Sequence, residues 1–487
     1  MTSSASPFFP LRASPAHLSP WLAALGLACG LAQAQPPSQP QPATMSFVQA
    51  RQSLLERSDQ LAASAKAVES ARLRRLGTEG LGGPSVAITG LGYRYSANAD
   101  IDLDPARRTL DGVLGQLPPS VGPAIPSLPQ LPTSYALQRK ASNASASLSL
   151  VWPLYLGGLS DAVRSGLDAA TDEALADAAS SSQALHSLLV QRYFGAQLAE
   201  RAARLRERAL EGVRSHDAAA QSMLKAGVIS QLERLQARAA LADAEQQARK
   251  SRDDAELAAA ALARTIKARR QVLPSTPLFV SSQPLPPLDG FIATAQARHP
   301  GLDKVQAKKR QAESLHDAQE ALRRPQVLAF GSREVNTGGK PNWVAGVAVR
   351  WTLWDSLDRD ALAASSQRKI EQAELTQTQA LSDIALLVEK NWLGVEQARR
   401  QYQSRQAQED LARELLRLRE AGLREGTSTT LDLIDARLNL AKVQTQRAEV
   451  ANQYVQALAA LLESTGQSEE FDRFMAQADI QIPSDAP

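Results

Sequence analysis

From about Gly158 to Ala226 the chain contains no proline and few glycines. Strong helix formers fill the run, with apolar residues recurring at helical spacing, such as Leu185, Leu188, Leu189, Phe194 and Leu198. At the rise of an α-helix this predicts a rod of about 100 Å, longer than any compact domain requires. Gly227 interrupts it, and helix-forming sequence resumes from Ser230 to about Arg269. The same grammar returns later: a proline-free run to Glu425, a break at Gly426, and helix to about Glu463.

The two breaks are followed by nearly the same text. "GVISQLERLQARAALA" from Gly227 and "GTSTTLDLIDARLNLA" from Gly426 share Gly, Leu, Ala, Arg, Leu and Ala without a gap, with Glu233 facing Asp432 and Leu235 facing Ile434. Trp152 and Trp351, and Leu154 and Leu353, hold the same offset of 199, allowing for a one-residue slip near "LLV" at Leu188 and Leu386. Internal duplication is the economical explanation. It divides the chain into a first repeat over 46–271 with its tip at 227, a linker over 272–289, a second repeat over 290–466 with its tip at 426, and a tail over 467–487. Helices are expected at 46–76 and 290–323, ahead of the strands of each repeat.

Aromatic content is only 5%, against 44% hydrophobic residues overall, which fits long helices with thin seams better than one large core. The formal charge of +3 comes from 54 basic and 51 acidic residues mixed along the helices. That leaves no concentrated basic footprint for nucleic acid. At the N-terminus, Arg12 precedes the apolar stretch "WLAALGLACGLAQA" from Trp21 to Ala34, which ends in an A-x-A site and reads as a secretory signal peptide over 1–34. A Pro/Gln-rich leader follows over 35–45. Cleavage after Ala34 removes Cys29, the only cysteine, so neither a disulfide framework nor a thiolate metal site is expected. The competing reading makes Cys29 an acylated first residue. Beyond the signal, no run of about 18 apolar residues exists to form a transmembrane helix.

Four segments read as strands: about 84–96 and 144–155, joined by a loop with prolines at 105, 118, 119, 123, 126, 129 and 132, then about 325–335 and 343–354, joined by "NTGGKPN". One strand carries Ala146, Leu148, Leu150 and Trp152 on one face and Ser145, Ser147 and Ser149 on the other. Its counterpart sets Ala345, Val347, Val349 and Trp351 against Gly346, Ala348, Arg350 and Thr352. Such alternation fits a membrane barrel, greasy outside and polar within. Trp152, Trp343, Trp351 and Trp354 lie in or at the ends of these strands, where an interfacial girdle would place them. A half-buried sheet in a soluble domain gives the same alternation, but does not sprout rods of about 100 Å. Four strands cannot close a barrel, whose smallest membrane form has about eight, and an open edge in lipid leaves backbone groups unpaired. Copies must therefore complete the wall, and twelve strands from three chains enclose a usable lumen where eight from two would not.

The repeat of helix, strand, loop, strand, long helix, glycine and helix, together with "EGTSTTLDLIDARLNLA" and the "WTLWD" after the strand, resembles the TolC family of outer membrane channel-tunnels. The resemblance spans nearly the whole mature chain. It implies a mainly α fold with a membrane β-barrel: a homotrimer with a twelve-stranded barrel in outer membrane lipid and a coiled-coil helical tunnel crossing the periplasm. The function it implies is passive export, working with a periplasmic adaptor and an inner membrane pump of the RND or ABC type in efflux or type I secretion.

Asp432 and Asp435, spaced i, i+3, fall on one helical face. The resemblance implies that they ring the closed periplasmic aperture, with Glu233 as the weaker first-repeat equivalent, and that clustering raises their pKa values. Acids at a helix start also suit the macrodipole without any such role. Ser428 stands where some family members carry a latch arginine, two residues after the tip glycine. The tips, with Gly227 and Val228 in "KAGVIS" and Gly426 and Thr427 in "REGTST", resemble the family's adaptor contacts. They also read simply as turns that need a glycine.

An enzyme is not expected. His17, His186, His216, His299 and His316 are scattered, with no metal-ligand spacing, and no nucleophile elbow, phosphate loop or dinucleotide fingerprint is present. No cofactor is expected either, and the lone helix histidines read as surface or seam residues. The alternative from another class is a periplasmic adaptor or a structural coiled-coil protein.

Overall fold

The computed structural model of the chain describes residues 43–114, 132–335, 342–354 and 356–482. The expected signal segment with Cys29, most of the proline loop, most of "NTGGKPN", Asp355 and the last five residues lie outside them.

β1 (Ala43–Met45) lies in the expected leader, and the first repeat opens with α1 (Phe47–Arg57) and α2 (Asp59–Gly77). The single helix expected over 46–76 is thus two, because Ser58 takes an extended conformation and its hydroxyl caps the N–H of Leu61. β2 (Ser85–Asp102), α3 (Asp104–Leu114) and β3 (Ser134–Tyr155) follow, then α4 (Leu159–Lys225), one unbroken helix of 67 residues, and α5 (Gln231–Thr265). After β4 (Val272–Pro274) and β5 (Leu278–Val280), the second repeat runs α6 (Leu288–Arg298), α7 (Pro300–Ala321), β6 (Gln326–Glu334), β7 (Trp343–Arg350), α8 (Arg359–Arg424, 66 residues) and α9 (Thr430–Ser464). The break between α6 and α7 has a plain cause. Pro300 has no N–H to continue a helix and forces His299 into extended backbone, where its ring accepts the N–H of Gly301 at 3.0 Å.

A short 3-10 turn at Ser468–Glu470, α10 (Phe471–Gln477) and β8 (Ile480–Ile482) complete the described chain. The expected linker and tail are structural members: β4 pairs in parallel with β1, and β5 pairs antiparallel with β8. Three-residue strands are too short to show a period, so nothing in the sequence pattern marks them. They frame an aromatic core in which Phe47, Tyr193, Phe194, Phe279 and Phe471 meet edge-on or tilted. The Tyr193 hydroxyl donates to the carbonyl of Met45 at 2.7 Å and accepts the N–H groups of Ser275 and Thr276, tying α4 to β1 and to the segment between β4 and β5.

The larger sheet has the order β2-β3-β6-β7, antiparallel throughout. Ser145, Ser147 and Ser149 are partly covered whereas Leu148, Leu150 and Trp152 are exposed, which makes the serine face the concave side of a curled half-barrel. β2 and β3 are longer than the alternation predicts. The first hairpin continues well past the last residues of β3 that pair with β6. In contrast, β7 ends at Arg350, short of the expected 354.

Candidate functional site

Both long helices end in the same device. At the first tip, Val228 N–H reaches the carbonyl of Met223 at 2.9 Å and Gly227 N–H that of Leu224 at 3.0 Å, with Gly227 at φ +72°. At the second, Thr427 reaches Gly422 at 2.8 Å and Gly426 reaches Leu423 at 3.4 Å, with Gly426 at φ +75°. This is the Schellman arrangement, whose left-handed residue a side chain would strain. Each returning helix then starts with a capping box, Ser230 with Glu233 and Thr429 with Asp432. Gly227, Val228, Gly426 and Thr427 are all exposed.

The capping boxes settle what two of the three acids do within one chain. The Asp432 carboxylate accepts the backbone N–H of Thr429 at 3.0 Å and its hydroxyl at 2.8 Å, and Arg419 lies 3.8 Å away. These hydrogen bonds, the backbone one first, hold the carboxyl below its ordinary range. Glu233 is lowered in the same way by Ser230. Within one chain the capping bonds thus lower both carboxyls; the elevation expected from clustering involves the acids of three copies. Asp435 is exposed and has no ion-pair partner among the described residues.

The hairpins are laced by arginines that the motif reading passed over. Arg234 grips Asp217 across the first tip with bonds of 2.5 and 3.2 Å, and Arg437 reaches Glu420 across the second at 2.8 Å. Arg206 donates to Gln247 at 2.8 Å, and 199 residues on Arg405 donates to Gln446 at 3.2 Å. Matching Arg and Gln at that offset was the signal that could have found them. Gly212 on α4 leaves the space that Arg437 occupies, since a Cβ there would lie 2.1 Å from its guanidinium. Ile434 buries completely in a cluster with Leu210, Val213 and Ala237, so the second hairpin is packed onto the first.

The four tryptophans lie on exposed positions at three levels of the sheet. Trp343 pairs with Arg333, while Trp152 stands opposite Ala329, in the row of Val347. Trp351 follows β7 and donates its indole N–H to the carbonyl of Arg323 at 3.2 Å. Trp343 and Trp351 are eight residues apart on one face, about 27 Å along a strand. An apolar outward band of a membrane barrel is about 25 Å tall. Of the histidines, His186 sits edge-on to Phe47 and Phe471, and His316 bonds Ser366 at 2.8 Å. Among the described residues no cluster of His, Cys, Asp or Glu could hold a metal ion.

A curled sheet with an apolar outer face, carried on paired helical rods and written twice in one chain, defines a channel-tunnel of the outer membrane. The chain belongs to the outer membrane efflux protein family, whose model matches residues 50–266 and 291–467. No curated protein matches it. Among solved structures it is similar to the outer-membrane channel OprN, at 17% identity and a TM-score of 0.68, covering 86% of this chain and 90% of that one. It is also similar to the Campylobacter jejuni CmeC outer membrane channel, at 15% identity and 0.70, covering 88% of each. The open state of the Neisseria gonorrhoeae MtrE outer membrane channel gives 18% and 0.67, covering 87% and 89%. At these identities the likeness establishes the shared fold.

Proposed function

We propose that three copies of this chain close a twelve-stranded barrel in outer membrane lipid above a tunnel in the periplasm, and that the trimer is the passive exit duct of a tripartite efflux or type I secretion system. A periplasmic adaptor docks on the tips at Gly227, Val228, Gly426 and Thr427. An inner membrane pump, RND or ABC, supplies the energy. Asp432 and Asp435, with Glu233, line the periplasmic aperture, and Trp152, Trp343, Trp351 and Trp354 meet the membrane interfaces.

The observation that carries this reading is a wall left unfinished at matching edges. β2 and β7 end the sheet with unpaired backbone, behind an outer face of Leu148, Leu150, Val347 and Val349. The rods show the same incompleteness. Leu375, Leu386, Leu393, Leu411 and Leu418 stand exposed on α8 at spacings of 7, 11 and 18 residues, which are whole numbers of helical turns. That apolar stripe is the seam a neighbouring copy would cover.

Deletion of the gene, followed by intracellular accumulation of a fluorescent efflux dye, tests the duct. Accumulation should rise and return to normal on complementation. Unchanged accumulation, together with unchanged export of secreted protein, would contradict the reading.

A further inference from the structure

The hairpin of β2 and β3 extends beyond the rest of the sheet. β6 pairs with β3 only from Ser147 to Tyr155, so the residues of β3 from Ser134 to about Ala146 continue with β2 alone, a ribbon of about 40 Å. The register between β2 and β3 runs from Ser85 opposite Val151 to Asp102 opposite Ser134 without a bulge. Directly opposed residues share a face, so odd-numbered residues stay on the concave, serine side along the whole ribbon.

The polarity of those faces inverts along the way. Near β6, the even-numbered outer face carries Val86, Ile88, Leu148 and Leu150, and the odd-numbered inner face carries Ser145, Ser147 and Ser149. Past Gly92, the outer face becomes Arg94, Asn98, Asp100, Gln138 and Lys140. The inner face becomes Tyr93, Tyr95, Ile101, Tyr135 and Leu137, with Arg139 its only charge. Tyr93 and Tyr95 already stack, with centroids 6.2 Å apart and rings inclined by 22°. The outer inversion marks where lipid gives way to water. An aromatic inner face in the same stretch has no lipid to meet and nothing among the described residues of its own chain to cover it: all five residues are between 39% and 55% exposed.

We propose that above the membrane the ribbons of three copies pack these odd-numbered faces against one another around the pore axis, forming an aromatic collar that narrows the outer mouth. The inference rests on the trimeric reading above. Continuity chooses the occupant: the face that bears the collar is the same unbroken face that lines the lumen below, and what stands across a lumen from one copy is the other two. A cargo molecule passing the collar would meet tyrosine hydroxyls and ring faces after a wall of serines.

Cysteines placed on the two faces test this in cells, in a Cys29→Ala background that leaves one thiol per chain. Treatment with a short bismaleimide should convert Tyr95→Cys chains into covalent dimers and leave Asn98→Cys chains monomeric, while native gels show an intact trimer for both. Should Tyr95→Cys assemble poorly, Tyr93→Cys repeats the test on the same face. An intact trimer in which both positions stay uncrosslinked and are labelled equally by an impermeant maleimide would overturn the collar, leaving the face open to an external ligand. Absence of any trimer would overturn the duct itself, and with it the collar.

Discussion

Ile434 and Leu235 occupy the same position of the two repeats, 199 residues apart, yet Ile434 is 0% exposed and Leu235 is 52% exposed. Ile434 has the first hairpin of its own chain to bury against. Leu235, on α5, belongs to no buried cluster among the described residues. If copies are arranged as the repeats are, Leu235 meets α8 of a neighbour as Ile434 meets α4. Replacing Ile434 with Ala should then destabilise the fold by about 2–5 kcal/mol, the usual cost of a large core truncation. Leu235→Arg should leave the chain folded but deplete the trimer on native gels. Equal trimer yield for Leu235→Arg and the wild type would place Leu235 on open surface.

Asp432 and Asp435 are expected to draw cations to the aperture. Asp432→Asn with Asp435→Asn should lower cation preference and divalent block in planar bilayers, and unchanged values for both would remove these residues from the pore. The cap also has a pH signature. Because the Asp432 pKa is lowered in the folded chain, its contribution is present above the ordinary carboxylate value of about 4 and is lost as pH falls through the lowered folded value. Hydrogen exchange at the start of α9, corrected for intrinsic rate, should stay slow at neutral pH and quicken only in that acid range.

His186 acts in the same direction but over a higher pH range. Burial, with Arg51 nearby, lowers its pKa from 6.5 to about 4, and neither ring nitrogen has a hydrogen-bond partner among the described residues. The unfolded chain therefore binds more protons between about pH 4 and 6.5, so stability is full above 6.5 and falls as pH drops through that window, by on the order of 2–3 kcal/mol. Thermal melting of detergent-solubilised protein at pH 7 and pH 5 should show the drop, and His186→Leu should flatten it. A slope that persists in the variant would assign the effect to other groups.

Lys267 is the only non-glycine with positive φ among the described residues, at +52°, and its equivalent 199 residues on is Gly466, at +72°. Both end a returning helix, but the first repeat carries a side chain where the second has none. Left-handed backbone costs an ordinary residue about 1–2 kcal/mol. The ion pair of Lys267 with Asp59 is largely exposed and offsets little of this. Lys267→Gly should raise the melting temperature, and a fall would show that Asp59 holds more than its exposure suggests.

Much of this architecture was legible in the sequence because it repeats. Long proline-free runs gave the rods, the offset from Gly227 to Gly426 gave the tips, and the serines of β3 gave the concave face. What escaped notice had no period to reveal it. The strands at Val272, Leu278 and Ile480 are three residues long, and the tip pairs Arg234–Asp217 and Arg437–Glu420, unlike Arg206–Gln247 and Arg405–Gln446, do not hold the offset of 199. The splits at Ser58 and Pro300 were written plainly, as a cap and a proline, yet both lie within otherwise helical spacing. For the acids, residue type and spacing could not distinguish an aperture from a cap, and within one chain Glu233 and Asp432 are caps.

The most direct test is the mass of the protein extracted from outer membranes in mild detergent, measured by native mass spectrometry. Three chain masses in one particle are expected, since one chain supplies four strands with both edges open. A monomer that remains folded and soluble after the detergent is removed would contradict the proposed duct at its root.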